Sequence, residues 1–258
     1  MMEAVRNGAW AKSDGWKNPY VTDGLVAMWD GIWNGGVIGR HDGTMENRWI
    51  DCASGMEATT DCPGYGFGTL AFDGTYAVAE RCILCCTEWG AIADALNSVN
   101  FTVEFVRGHD DPRGYMLSEL RNKETLEIWD NGKNSIYFRV LGYGNVGHMG
   151  NAVTVGYGGV VESGAYAFSS SYSPDFSLAI RSYKNAVLKN SIDSTKEPPL
   201  SYPSGTAPLG VIGNGYMDYL SWCRFTGRVA ALRVYARALT AEELKYNFDI
   251  DRRRFNIS

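Results

Sequence analysis

The stretch Gly227-Arg-Val-Ala-Ala-Leu232-Arg-Val-Tyr235-Ala-Arg237-Ala-Leu239-Thr240-Ala-Glu242-Glu243-Leu244 decides how the chain is read. It reads as a closing strand followed by a capped helix. Thr240 is the N-cap and Glu243, three residues on, completes a capping box. Leu239 and Leu244 occupy the staple positions on either side of it. Leu244 and Phe248 then share one helical face. Arg252, Arg253 and Arg254 fall at the end, where positive charge suits the helix dipole.

Upstream of this helix the period is two. Leu25, Ala27 and Trp29 point to one side, as do Phe101, Val103 and Phe105, and then Ile136, Phe138 and Val140. Phe176, Leu178 and Ile180 repeat the pattern. Alternation with one polar face predicts antiparallel strands packed on one side. Asp130-Asn131-Gly132 predicts a hairpin over 124–141. Asp42-Gly43 and Asp73-Gly74 mark further turns, and the four prolines of 194–208 require a loop. Residues 1–19, broken by Gly8, Gly15 and Pro19, read as an N-terminal arm, and 20–258 as one domain. The fold class expected is all-β: an antiparallel two-sheet jelly-roll β-sandwich with a short C-terminal helix, its first strand near 25–30 lying beside the closing strand near 228–236.

Composition agrees. The 258 residues are 45% hydrophobic and 13% aromatic, enough for a large core and too apolar for disorder. No apolar run approaches the length of a membrane span, so no membrane insertion is expected. A net charge of -5 carries no electrostatic footprint for nucleic acid. The start, Met1-Met-Glu3-Ala-Val-Arg6, lacks the apolar run of a signal peptide. The expectation is therefore cytoplasmic synthesis and six reduced thiols, with no disulfide and no zinc. Cys82-Ile-Leu-Cys85-Cys86 resembles half a zinc knuckle, but no second close pair completes four ligands.

Catalytic signatures are sparse. Gly142-Tyr-Gly144-Asn-Val-Gly147 matches a dinucleotide fingerprint, yet a strand rather than a helix follows, so pyrophosphate has no helix N-terminus. Paired carboxylates at even strand spacing, which glycoside hydrolysis would use, do not occur, and Glu104 has no acidic partner two residues away. No Gly-x-Ser-x-Gly elbow is present. Asp110 and Asp111, in the loop Gly108–Gly114, are the calcium candidates, since calcium takes oxygen ligands from such loops. Trp29, Phe101, Phe105 and Phe138 are expected in the core. Trp33, Trp129, Tyr143 and Tyr157 are expected as exposed rings suited to the apolar face of a sugar.

Four blocks of sequence resemble the laminin-G-like modules of the concanavalin A-like lectin/glucanase superfamily. They are Gly24–Gly31, Leu70–Val78, Phe101–Phe105 and the closing stretch Gly227–Leu244. The resemblance implies a jelly roll of a dozen or so strands and carbohydrate or cell-surface recognition, often with calcium. The hydrolases of that superfamily carry a Glu-x-Asp-x-x-Glu strand, which this chain lacks. The general look also resembles virion proteins of phages and prophages from gut bacteria. The function expected is non-enzymatic glycan or cell-surface recognition, on a virion. Its alternatives are an assembly or decoration protein contacting other virion or surface proteins, and a divergent glycoside hydrolase. Two loops are expected to form the ligand site: 108–115 with His109, Asp110, Asp111, Arg113 and Tyr115, and 142–150 with Tyr143, Asn145 and His148.

Overall fold

A computed structural model describes residues 18–33, 47–61, 66–97, 100–108, 113–119, 126–131, 135–140, 153–158, 163–173, 177–194, 209–213 and 224–258. In chain order the elements are β1 (Leu25–Asp30), β2 (Arg48–Ile50), β3 (Glu57–Thr59), β4 (Phe67–Phe72), β5 (Ala77–Cys86) and α1 (Gly90–Asn97). There follow β6 (Phe101–Arg107), β7 (Arg113–Glu119), β8 (Leu126–Asn131), β9 (Ser135–Val140) and β10 (Val153–Gly158). The chain ends with β11 (Gly164–Ser173), β12 (Ser177–Lys184), β13 (Val187–Ser194), β14 (Leu209–Ile212), β15 (Phe225–Tyr235) and α2 (Ala241–Phe255).

All pairings among the described strands are antiparallel. One layer contains β4, β5, β15, β6, β11, β12 and β13, with β1 also paired to β15. The other runs β5-β14-β7-β8-β9-β10, with β2 and β3 attached through β5. Strand β5 belongs to both layers: its first half pairs with β4 and β15, its second half with β14 and β3. The expected neighbours are neighbours, with Leu25 opposite Tyr235 and Asp30 opposite Ala231. The hairpin of 124–141 is β8–β9, with Ile128 opposite Phe138. Asp73 closes the β4–β5 turn by accepting the amides of Thr75 and Tyr76 at 3.0 and 2.8 Å.

The interior is aromatic. Trp29, Phe101, Phe105 and Phe138 are fully buried, as expected. Phe138 of β9 stacks on Phe168 of β11 at 5.0 Å and meets Phe101 edge-on at 6.0 Å, joining the two layers through their rings. Helix α1, absent from the sequence reading, adds Ile92, Ala93 and Leu96 to this core. Its eight residues are too short for a clear period and carry no acid in the first turn.

A second difference concerns faces. Alternation predicted one polar face for β1 and β6, yet all seven residues of β6 are buried, and so are Ala27, Met28, Trp29 and Asp30 of β1. The reason is α2, which lies across the outer face of β1, β15 and β6. Thr240 caps it as expected: its hydroxyl accepts the Glu243 amide at 3.2 Å, and Glu243 accepts the Thr240 amide at 2.9 Å. Arg237 adds a fork onto Glu243, at 2.8 and 2.6 Å. That hydrogen-bonded pair, more than the cap, holds the Glu243 carboxyl down at about 2.

What α2 buries is polar. Arg233, on the outer face of β15, is 1% exposed. Its Nε donates to Glu104 Oε2 at 3.0 Å and its terminal nitrogens fork onto Asp251 of α2. Asn247 donates to the same Glu104 oxygen at 2.9 Å and to the Tyr235 hydroxyl at 3.0 Å, and accepts the Val21 amide. Tyr20 donates to Asp251 at 2.7 Å and receives Arg254 at 2.6 Å; Arg254 then forks onto Asp30. Two guanidiniums thus face three carboxylates, Asp30, Glu104 and Asp251, all buried. Burial outweighs Arg233 and pushes the Glu104 carboxyl up. Arg233 is pulled down by burial but lifted further by Asp251 and Glu104, and stays charged.

The thiols correct the sequence reading. Cys52, Cys82 and Cys86 are free and buried, with burial raising Cys82 to about 12 and Cys86 to about 11. Cys85, however, is disulfide-bonded. Adjacent residues on a strand point to opposite sides, so neighbouring Cys85 and Cys86 have different fates.

Two outcomes follow. Denatured protein that has not met a reductant should show four reactive thiols out of six, and a count of six would contradict the disulfide. Arg233→Met should cost about 3–5 kcal/mol in urea unfolding, because two carboxylates are left buried without their cation. Glu104→Gln retains an oxygen for both donors and should cost about 1 kcal/mol or less at neutral pH. Because the folded carboxyl lies above its unfolded value, the native state binds the extra proton. The contribution of Glu104 to stability is then fully present below the ordinary carboxyl value of 4.5 and is lost as pH rises through the folded one. Glu104→Gln should flatten that decline, visible as a smaller pH slope of the unfolding free energy.

Candidate ligand-binding site

Three neighbouring strands bulge at one level. The β4–β5 register slips between Phe67 and Thr69, and the β15–β5 register slips between Phe225 and Gly227. Opposite both slips stands Arg81 of β5, with φ +48°, a left-handed conformation unusual for a non-glycine residue. Gly68 makes the close approach feasible: a Cβ there would lie 2.3 Å from the Arg81 carbonyl oxygen, and its φ is +74°. The Arg81 amide, taken out of the ladder, donates to the Thr226 hydroxyl at 3.1 Å. A bulge turns a side chain out of its strand's alternation.

These bulges gather an exposed cluster. Phe67 is 43% exposed. The Arg224 guanidinium carbon stands 3.7 Å from its ring centroid and that of Arg81 6.0 Å. Thr69, Glu80 and Thr226 are exposed beside them. Arg48, Arg181, Arg228 and Arg237 each face a carboxylate within 4.0 Å. Among the described residues Arg81 has no such partner; its contacts are the Thr226 hydroxyl and the Phe67 ring. An exposed ring, the exposed Arg81, the half-buried Arg224, two hydroxyls and a carboxylate are the donors, acceptors and apolar contact that a sugar uses.

The strand ends separate the two loops expected from sequence. Arg113 opens β7 opposite Asn131, whereas the end of β9, Val140, lies opposite Leu126 and Val153. The strand end before which Asp110 and Asp111 stand, and the strand ends that flank Tyr143, Asn145 and His148, are thus at opposite ends of β8, about 17 Å apart at strand rise. His109, Asp110, Asp111, Tyr143, Asn145 and His148 lie outside the described residues. Arg113 and Tyr115 hold positions on β7, opposite Asn131 and Trp129. The Arg113 end abuts the bulges: Arg113 pairs with Thr226, and a Cβ on Gly114 would lie 2.6 Å from the Arg224 carbonyl oxygen. The start of β7, at Arg113 and Gly114, therefore lies beside Phe67, Arg81 and Arg224. The sequence contained one signal for this cluster, the pair Glu80-Arg81 interrupting an otherwise apolar strand.

Other expectations change. Trp33 is 8% exposed, with Arg254 stacked 3.4 Å from its ring, and offers no platform. Trp129 and Tyr157 hold positions on β8 and β10. Glu104 does have an acidic neighbour, Asp251, supplied by α2 rather than its own strand, but the two are sealed around Arg233. No group of three His, Cys, Asp or Glu residues that could hold a metal occurs among the described residues.

No family model and no curated protein matches the chain. Solved structures do. The fold is similar to that of the receptor-binding domain of botulinum neurotoxin type G, at 13% identity and a TM-score of 0.52, over 89% of this chain and 52% of that one. The CBM40 module of the Ruminococcus gnavus IT-sialidase, bound to α2,3-sialyllactose, aligns at 13% identity and a TM-score of 0.48, over 61% of this chain and 86% of that one. At these identities the likeness is one of fold.

Arg81 holds its left-handed backbone at a cost of about 1 kcal/mol. Arg81→Gly should therefore leave stability unchanged or raise the urea midpoint slightly. A fall of more than about 1 kcal/mol would mark the side chain as a structural support of the bulge instead.

Proposed function

We propose that this chain is a non-catalytic carbohydrate-recognition module whose ligand binds at the bulge surface of Phe67, Arg81 and Arg224, extended by loop 108–115. The observation that carries the reading is the cluster itself: among the described residues most rings are inside, yet Phe67 is turned outward with two guanidiniums beside its ring. Bulges beside a site that re-aim side chains fit this role. The laminin-G-like sequence blocks support it, as does a fold shared with a domain named for receptor binding. Binding rather than hydrolysis is supported by the burial of Glu104 and Asp251, which leaves neither carboxylate able to reach a glycosidic oxygen. Asp110 and Asp111 remain the calcium candidates.

A glycan array, run with and without calcium, identifies the ligand. Phe67→Ala should then reduce binding by about tenfold or more, the range for losing an aromatic contact at a small site, with an unchanged melting temperature. Tyr143→Ala should bind as wild type. Binding lost in Tyr143→Ala and kept in Phe67→Ala would move the site to loop 142–150.

A further inference from the structure

The buried network under α2 has one carboxylate oxygen to spare. Glu104 is 5% exposed, and its Oε2 accepts both Arg233 and Asn247. Among the described residues no donor reaches its Oε1. A buried carboxylate oxygen without a donor is costly. Glu104 borders a small cavity between α2 and β11, together with Asp251, Ala165, Ala167, Leu244 and Phe248. The space open there to the centre of a water molecule is ≈ 10 Å³, about what one water needs by that measure. Asp251 has both oxygens engaged, by Arg233 and Tyr20, so the oxygen in want of a donor is Glu104 Oε1. Ala165 and Phe248 are half-buried, so this wall of the cavity reaches the surface. We propose that the cavity is a proton-exchange site: one water in it hydrogen-bonds Glu104 Oε1, links that oxygen to solvent, and makes Glu104 the pH-responsive latch of α2. The water donates to Oε1 when Glu104 is ionised and accepts from it when Glu104 is protonated. Oε2 keeps Arg233 and Asn247 in register throughout. The charged and titratable groups around Glu104 are Arg233 and Tyr235 of β15, Asp251 and Arg254 of α2, Asp30 of β1, and Tyr20. From β11 the titratable neighbour is Tyr166, whose ring stacks on Phe105 in the core. Protonating Glu104 leaves Asp30 and Asp251 to the two guanidiniums, one for one. The seated helix therefore holds the proton, and α2 opens more readily as pH rises.

The test is a carboxyl-carbon NMR titration of the full chain, with amide exchange followed along α2. Glu104 is expected to titrate in one step while the protein stays folded, with its midpoint above the ordinary 4.5. The comparison is Glu104→Gln, whose amide oxygen serves the same two donors. Relative to that variant, the opening constant of wild-type α2 should rise between the ordinary and the folded carboxyl values. The rise should be at most about tenfold per pH unit, the limit for one proton, and level on either side. Ala167→Val fills the cavity. It should move the Glu104 midpoint up by about half a pH unit or more, because the carboxylate loses its donor. A Glu104 carboxyl that does not titrate in the folded chain would overturn the latch, as would α2 opening with the same pH profile in wild type and Glu104→Gln. A midpoint unmoved in Ala167→Val would overturn the water. If Ala167→Val loosens α2 at every pH, Ala165→Val takes its place and must show the same upward shift.

Discussion

A guanidinium almost wholly out of water has to be surrounded by acceptors whose positions are fixed by the rest of the chain. Arg233 obtains them from two directions, Glu104 on the neighbouring strand and Asp251 on the terminal helix. Apolar contact alone would let α2 slide along the sheet with little penalty; a forked pair onto Asp251 does not. The same helix face carries Asn247 and Arg254, so one register satisfies Glu104, Tyr235, Tyr20 and Asp30 together. The segment around Tyr20 and Val21 is held by the same groups. Polar burial of this kind adds little net stability, and its effect is to define where the helix and the first strand lie.

That arrangement also explains what could be read from sequence. Capping, the β8–β9 hairpin and the Asp73-Gly74 turn are decided by residues a few positions apart, and each appears where its local pattern placed it. The alternation in β1 and β6 assigned their core faces correctly. It assigned the opposite faces to solvent, because nothing near residue 104 announces a helix residue more than a hundred positions away. Cys85 follows the same rule: disulfide bonding depends on a partner that strand spacing does not reveal.

The candidate site divides along similar lines. Loop 108–115 was proposed from its chemistry. Its grouping with 142–150 came from chain order, and antiparallel pairing sends the flanking strand ends of the two to opposite ends of β8. Phe67, Arg81 and Arg224 come from three separate segments and meet through bulges, which have no period to detect. Only Glu80-Arg81, two charges inside Ala77–Cys86, hinted that the strand departs from regular pleating there.

The pairing of Leu25–Asp30 with the strand ending at Tyr235 has a consequence for how the protein is made. A ribosome adding roughly 5–20 residues per second needs roughly 10–40 s between the two strands. Through that interval the first strand, with Trp29 and Met28 on its two faces, lacks its hydrogen-bonding neighbour and its helical cover. The layer that contains β1 and β6 cannot close until the strand ending at Tyr235 has been made. Such a chain is an expected client for holding chaperones during synthesis, and C-terminal truncation is expected to release it as an aggregation-prone fragment rather than a smaller working domain.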